Sequence, residues 1–527
     1  MEGSDTAEKW TEAQSSQVDR GLVTLALLLA MSVTSLEQTV VSTAMPSIIA
    51  QLHGLDIYPW VYSAYLLAAT VSTPLYGKLA DIFGRKRVLL FGLGLFTLGS
   101  MLSGLSRSMP ELIAMRVIQG LGAGAVGPIV LTMLGDLFSL EERAKVQGWF
   151  SAVWGTCSLI GPWLGGVLTD RISWRWVFFV TVPFSLAAAM ILILRVKETL
   201  KERKHLPMDW AGAVLLSLGS TALLSAVLQG GNVGGKGSMI YLISALVLLA
   251  LFVRVELRAA DPILPIDLFE DINTASAMAG GFLIGALLFG IDTYLPLFVQ
   301  GVLGRSAEAA GRTITPLFLS WALSVAVAAR VVGRLGYRGT AVGGSFFIAT
   351  GTLSLVLAAA YPHASGPLFM GGLFILGMGM GPVSLCTLLG VQNSVPWGRR
   401  GAATAAAIFF RTMGGAIGVG LLGASLSLDL SSRLAGVEGV DVAAALRPET
   451  HGKLTPEALL IVQNALGGSL RNIFIEIMAL AFVMILCTLG LRGGRATSHE
   501  DAGSGTNLPE ARERDQDEMG IPVVMEH

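Results

Sequence analysis

The feature that most constrains this chain is a train of apolar runs, each close to the length needed to cross a bilayer. A hydrocarbon core about 30 Å thick takes about 20 helical residues. Fourteen stretches qualify: 21–50, 58–79, 88–105, 111–136, 144–169, 176–195, 210–229, 239–257, 273–300, 313–332, 339–361, 367–391, 402–424 and 471–491. Of the 527 residues, 53% are hydrophobic and 14% charged, too few charges to cover the several soluble domains a chain this long would form. The same figures exclude a disordered chain. A net charge of −1 leaves no basic surface for nucleic acid. The fold class that follows is an all-α polytopic membrane protein. The first run has an acidic rather than a basic leader and continues past Glu37 to Ala50, so it reads as a span and not a cleaved signal peptide.

Charge placement sets the expected topology. With the N-terminus in the cytoplasm and sides alternating, 24 of the 36 Lys and Arg fall on the cytoplasmic side and 10 outside. Arg116 and Arg411 remain inside runs. Both termini are therefore expected in the cytoplasm, with the protein in a cell membrane. The divisions are a cytoplasmic segment 1–20, a six-helix half 21–195, a basic cytoplasmic linker 196–208 and two inserted helices within 209–258. A second six-helix half follows at 273–491, with an external segment 425–470, and then a polar tail 492–527 that reads as disordered. Inside the external segment, Thr455-Pro456-Glu457 reads as a helix start. A weak repeat supports two halves: Gly120-x-Gly122-x-Gly124 with Pro128 matches Gly377-x-Gly379-x-Gly381 with Pro382, and Glu37 matches Asp292 in position along its run.

Several chemistries are not indicated. Cys157, Cys386 and Cys487 lie in separate apolar runs, and the six His lie between or outside the runs, so neither a disulfide framework nor a metal site is expected. The stretch Gly230 to Gly237 nearly matches a phosphate-binding loop, but Gly237 stands where a hydroxyl is required and no strand precedes it. No nucleotide is expected, and no enzymatic activity.

Four local patterns carry the functional reading. The first is Gly77-Lys78-Leu79-Ala80-Asp81-Ile82-Phe83-Gly84-Arg85-Lys86-Arg87, between the second and third runs. Asp81 and the spacing go beyond a basic turn. The second is Arg116-Val117-Ile118-Gln119-Gly120, where a guanidinium inside an apolar run marks a paired or functional site, or else snorkels to the nearby interface. The third is Gly155-x5-Gly161-Pro162-x2-Gly165-Gly166, whose small residues permit close helix approach. The fourth is Leu36-Glu37-Gln38-Thr39-Val40-Val41-Ser42, where a carboxylate must be neutralised, paired or hydrated. A structural salt bridge to a neighbouring helix and a proton-binding role are both compatible with it. Asp292 and Arg411 are candidates for a central cavity. Glu476, taken as one turn into the last run, reads as interfacial.

These motifs resemble those of the major facilitator superfamily, and Leu36–Pro46 is similar to the first-helix motif of its fourteen-span drug:H⁺ antiporter (EmrB/QacA-like) family, with Glu37 for the usual Asp and Ser42 for Asn. The resemblance covers 20–491. It implies the major facilitator fold: two six-helix halves plus two inserted helices. Gly77, Asp81, Gly84, Arg85 and Lys86 would form a conformational latch; the second half keeps only the remnant Gly333-Arg334-Leu335-Gly336, with Gly333 at the Asp position. Gly155, Gly161, Pro162, Gly165 and Gly166 would be the antiporter motif. Glu37, Arg116 and Asp292 would couple protons, and Glu37, Asp292 and Arg411 would line the substrate cavity. The implied activity is proton-coupled export of amphipathic small molecules, multidrug efflux of the kind behind antibiotic resistance. It would be driven by the proton gradient without a cofactor, in a monomer embedded in lipid. An exporter of a lipid, lipid precursor or dedicated metabolite is the alternative, and a non-transporting sensor a more distant one.

Overall fold

The computed structural model describes residues 20–138, 140–196, 209–229, 236–259, 264, 266–361, 365–395, 400–435, 446 and 455–491. Leader 1–19, most of linker 196–208, the Gly230–Gly235 stretch and tail 492–527 lie outside the described residues.

The helices, in chain order, are α1 (Arg20–Leu52), α2 (Pro59–Phe83), α3 (Arg85–Leu105), α4 (Met109–Leu137), α5 (Leu140–Arg171), α6 (Trp176–Phe179), α7 (Val182–Arg195), α8 (Trp210–Gln229), α9 (Lys236–Glu256), α10 (Ile272–Leu297), α11 (Ala307–Ala360), α12 (Ser365–Asn393), α13 (Arg400–Arg433) and α14 (Pro456–Leu489). Among the described residues, 11 helices are long and apolar enough to cross a membrane. The end of the bundle where α1 begins is called proximal here, and the opposite end distal.

Local chemistry sets the breaks. Ser108 caps α4 by accepting from the Glu111 N–H at 3.4 Å, Asp271 caps α10 through the Thr274 N–H at 3.4 Å, and Ser306 caps α11 through the Ala309 N–H at 3.2 Å. Gly84, at φ 94°, turns the chain between α2 and α3, a conformation that glycine adopts without a Cβ clash. The 54 residues of α11 would extend about 81 Å at 1.5 Å per residue, more than twice a bilayer core. The break comes at Gly336, whose φ of 70° and ψ of 175° fold the helix back on itself. A five-residue π turn, Phe298–Val302, extends α10.

Two boundaries differ from the sequence reading. Helix α13 runs on to Arg433 and α14 starts at Pro456, so helix occupies much of the segment assigned to 425–470. Leu426, Leu430, Ala465, Leu466 and Leu470 are buried, and this amphipathic continuation extends both helices past their most hydrophobic windows. Thr455 caps α14 through the Ala458 N–H at 3.3 Å. Glu476 consequently sits 20 residues into α14 rather than one turn from its start, half-buried and bonded by the Ser425 hydroxyl.

Two bundles result, α1–α7 and α10–α14, with the α8–α9 hairpin beside them. The glycine repeat does the same work in each. A Cβ on Gly120 or Gly124 would overlap α2, and one on Gly122 would overlap α3. In the second bundle Gly377 and Gly381 face the first part of α11, while Gly379 faces the part after Gly336. Helices α4 and α12 are thus each wedged between two neighbours at backbone contact. Across the bundles, α5 packs on α11 and α2 on α13. The joining hydrogen bonds include Ser63 hydroxyl to Ala416 carbonyl at 2.9 Å and Gln300 amide to Thr43 carbonyl at 2.9 Å.

Backbone contact leaves no room for a side chain. Gly285→Val would drive a Cβ into the Arg411 carbonyl of α13, costing about 1–3 kcal/mol. A lower yield of monodisperse protein in size-exclusion chromatography is expected, whereas Gly94→Ala, with nothing within 4 Å, leaves the yield unchanged or higher.

Candidate functional site

The site grows from the middle of α1. Every residue from Thr39 to Ile49 is buried, because α5, α7, α4 and α10 surround this helix. Glu37, just before this segment on α1, is also fully buried. Isolated, a carboxylate there would carry a large desolvation cost. Arg116 of α4, 1% exposed, meets it: its Nη1 donates to Glu37 Oε1. The guanidinium is therefore held inside the bundle and does not snorkel to the interface.

Arg116 is fixed by more than its ion partner. Nη1 also donates to Gln119 Oε1 at 2.7 Å, and Nε donates to the Val61 carbonyl of α2 at 3.1 Å. The guanidinium lies 4.1 Å from the centre of the Tyr65 ring and 5.8 Å from that of Phe178, so aromatic faces cover it. Gln119 donates onward to the Ser100 hydroxyl of α3 at 3.2 Å, which donates to the Phe178 carbonyl at 2.8 Å. One network thereby ties α1, α2, α3, α4 and α6. Glu37 Oε2 has no hydrogen-bond partner among the described residues.

Asp292 of α10 faces the same region from the other bundle. It is 2% exposed, and neither carboxylate oxygen has a hydrogen-bond partner among the described residues. It lines a narrow cleft with room for about one water molecule, walled by Gln38, Thr39, Trp154, Ser158, Phe289 and Phe318, with Ser35 and Leu288. Trp154 stands edge-on to Trp321 with ring centres 5.8 Å apart, so an aromatic wall spans both bundles. Tyr62 faces Asp292 from α2, and its buried hydroxyl has no hydrogen-bond partner among the described residues. A buried carboxylate beside aromatic rings and small polar groups can take a proton, a water or a cationic group.

The other sequence candidates are placed separately. Arg411 is half-buried on α13, with its carbonyl against Gly285, two helical turns from Asp292 along α10. It does not line the Asp292 cleft. Arg85 Nη1 donates to the Thr132 carbonyl of α4 at 3.3 Å, and Lys86 Nζ donates to the Ile193 carbonyl at 3.0 Å and to that of Val196. These bonds tie α3 to the proximal ends of α4 and α7, where a cation suits the free carbonyls of α7. The side chains of Asp81 and Lys78 lie outside the described residues, and Gly77 faces open space. In the α5 motif, Gly161 and Gly165 press on Thr39, Val40 and Thr43 of α1, and Gly166 presses on Ala307 and Glu308 of α11. The carbonyl of Pro162 lies under Gly311, and Gly155 has nothing within 4 Å.

Comparison with known proteins agrees with this architecture. A family model, the Major Facilitator Superfamily, matches residues 27–419. The chain belongs to the Major Facilitator Superfamily. It is 34% identical over 417 residues to the multidrug transporter protein MdtP of Bacillus subtilis (strain 168), covering 79% of this chain and 76% of that protein. Multidrug resistance protein 3 of the same organism is 34% identical over 413 residues, covering 77% and 80%. An efflux pump of Dothistroma septosporum, dotC, is 36% identical over 323 residues, covering 60% and 56%. Among solved structures, an inward-facing, unoccupied bacterial homologue of the human lysosomal transporter Spinster superposes with a TM-score of 0.64 at 15% identity, covering 90% and 97%. That likeness is one of fold. This major facilitator is a multi-pass transporter rather than an enzyme.

Sequence reasoning missed Gln119 as a ligand of Arg116, although it lies in the quoted run. It also missed Tyr62, Tyr65, Trp154 and Ser158, which carry no signal in an apolar stretch until a charge is placed beside them.

Removing one partner of a buried pair strands the other. Arg116→Met should cost about 3–5 kcal/mol. The double variant Glu37→Gln/Arg116→Met should recover much of that loss. Thermal unfolding in detergent would show this as strong non-additivity; additive shifts in Tm would contradict it.

Proposed function

We propose that this major facilitator is a proton-coupled exporter of amphipathic small molecules, a multidrug pump of the fourteen-span type. The span count takes α6 and α7 as one crossing and the two parts of α11 as two. Lys and Arg placement puts the proximal end, with both termini, in the cytoplasm. The energy source is the proton gradient, and one monomer holds the whole path. The observation that carries this reading is the pair of buried carboxyl groups in facing bundles: Glu37 with one free oxygen, and Asp292 with two, beside an aromatic cleft. The names of the Bacillus relatives support drugs as the cargo.

In this mechanism the Asp292 cleft widens to admit substrate from the cytoplasm or inner leaflet and holds it against Trp154, Phe289 and Phe318. When the bundles rock and the distal end opens, substrate leaves and a proton from outside neutralises a carboxyl group. Protonated Glu37 releases its hold on Arg116, and the proton is given up when the proximal end reopens. The gathering of cross-bundle contacts toward the distal end fits an inward-facing state. A dedicated-metabolite exporter is the second reading, favoured by a 30% identical relative, the acurin A biosynthesis cluster transporter of Aspergillus aculeatus.

In proteoliposomes, a pH gradient is expected to drive uptake of a lipophilic dye into inside-acidic vesicles. Glu37→Gln should reduce that uptake to the level of empty liposomes while inserting normally. Wild-type gradient-driven transport by Glu37→Gln would refute the coupling role. A drug-susceptibility panel in a pump-deficient host separates the two cargo readings: several unrelated drugs exported, or none.

A further inference from the structure

At the distal end, Asp170 does something no helix-span or motif reading assigns. It is the penultimate residue of α5 in the first bundle, yet its carboxylate serves a helix of the second. Oδ1 accepts from the Ala307 N–H at 3.1 Å and Oδ2 from the Glu308 N–H at 2.8 Å. These are the first amides of α11, which have no carbonyl of their own helix to bond. Ser306, the local cap, takes only the Ala309 N–H, at 3.2 Å. The start of α11 is thus capped jointly, by its own chain neighbour and by the opposite bundle.

We infer that Asp170 is a positioning residue that clamps the distal end of the transport path shut. The inference rests on the rocking-bundle reading above. A negative carboxylate on exposed amides at a helix start gains both from the charged hydrogen bonds and from the helix dipole. The approach is possible because Gly166, one turn before Asp170, lies against the Ala307 carbonyl, and Gly311 lies against that of Pro162. Separating the bundles at this end must break both hydrogen bonds and leave two amides to water. The nearby ion pairs, Arg171–Glu308 at 3.7 Å and Arg312–Glu308 at 3.9 Å, are loose and their arginines exposed, so they contribute little.

The related contact on the other side lacks such a clamp. Helix α13 meets the start of α2, where Gly423 lies against Pro59. There Tyr58 makes no side-chain cap, and Pro59 has no N–H to be capped. Among the described residues, the charged cap across the distal end is therefore on the α5–α11 side, while the α2–α13 side is joined by the neutral Ser63–Ala416 hydrogen bond.

The test measures a distance rather than transport. Spin labels on Leu105→Cys and Tyr361→Cys, both exposed at distal helix ends in opposite bundles, would report opening after the three native cysteines are replaced. In reconstituted protein the otherwise wild-type chain should populate a short distance. Asp170→Ala should shift the closed-to-open ratio roughly tenfold toward a longer one, the size of a lost helix cap. Asp170→Asn keeps the volume and one acceptor oxygen, and should shift it less in the same direction. If the Ala variant cannot be recovered folded, the Asn variant decides alone. A purely structural role would lower Tm and leave the distances unchanged, which would overturn the clamp. The readout needs neither substrate nor proton gradient, so loss of the efflux reading would not mask it.

Discussion

The buried ion pair between Glu37 and Arg116 is the constraint that organises the first bundle. Neither charge could remain in that interior alone, since the desolvation cost would exceed what one stray hydrogen bond returns. Pairing answers part of the cost, and the Gln119 oxygen, the Val61 carbonyl and the Tyr65 ring answer more. Each of those groups comes with a position for its helix. Satisfying one guanidinium therefore fixes α1 against α2 and α4, and Ser100 and Phe178 extend the arrangement to α3 and α6. The oxygen left over on Glu37 lies at the centre of an otherwise bonded network, where a proton changes the most.

The second bundle holds its charge differently. Among the described residues Asp292 has no ion-pair or hydrogen-bond partner, and it faces a cleft shared with α1 and α5. One half thus carries an ion-paired carboxylate with one oxygen left over and the other a carboxyl group with no hydrogen-bond partner among the described residues, with the boundary between bundles running through the cleft. Such an asymmetry puts the carboxyl group without a hydrogen-bond partner among the described residues at the boundary between the bundles. The glycine contacts set how close the helices come: α4 and α12 pack at backbone distance on their neighbours within each bundle, while Gly166 and Gly311 let α5 and α11 touch across the boundary.

Much of this was legible in the sequence, for physical reasons. Water and lipid impose a run length, so every crossing helix left a mark in the apolar pattern. Caps at Ser108, Asp271, Ser306 and Thr455 sit where helix-start chemistry predicts. The two Gly-x-Gly-x-Gly repeats announced two related halves, because only a residue without a side chain permits backbone contact on alternate faces. Glu37, Arg116 and Asp292 stood out for the opposite reason: a charge in an apolar run is costly and must have a use or a partner. Boundaries were less legible where amphipathic helix continues past the hydrophobic window, as with α13 to Arg433 and α14 from Pro456.

By itself the sequence determined that the chain is a bundle of membrane-crossing helices in two halves with a few intramembrane charges, since those properties depend on residue type and local spacing alone. Only the tertiary structure decided which charges meet. Arg116 lies 79 residues from Glu37 and bonds it, Asp292 stays unpaired, Arg411 stands apart from the cleft, and Asp170 caps a helix 137 residues further on. Those partnerships arise from how helices cross in three dimensions, and no local pattern records a crossing.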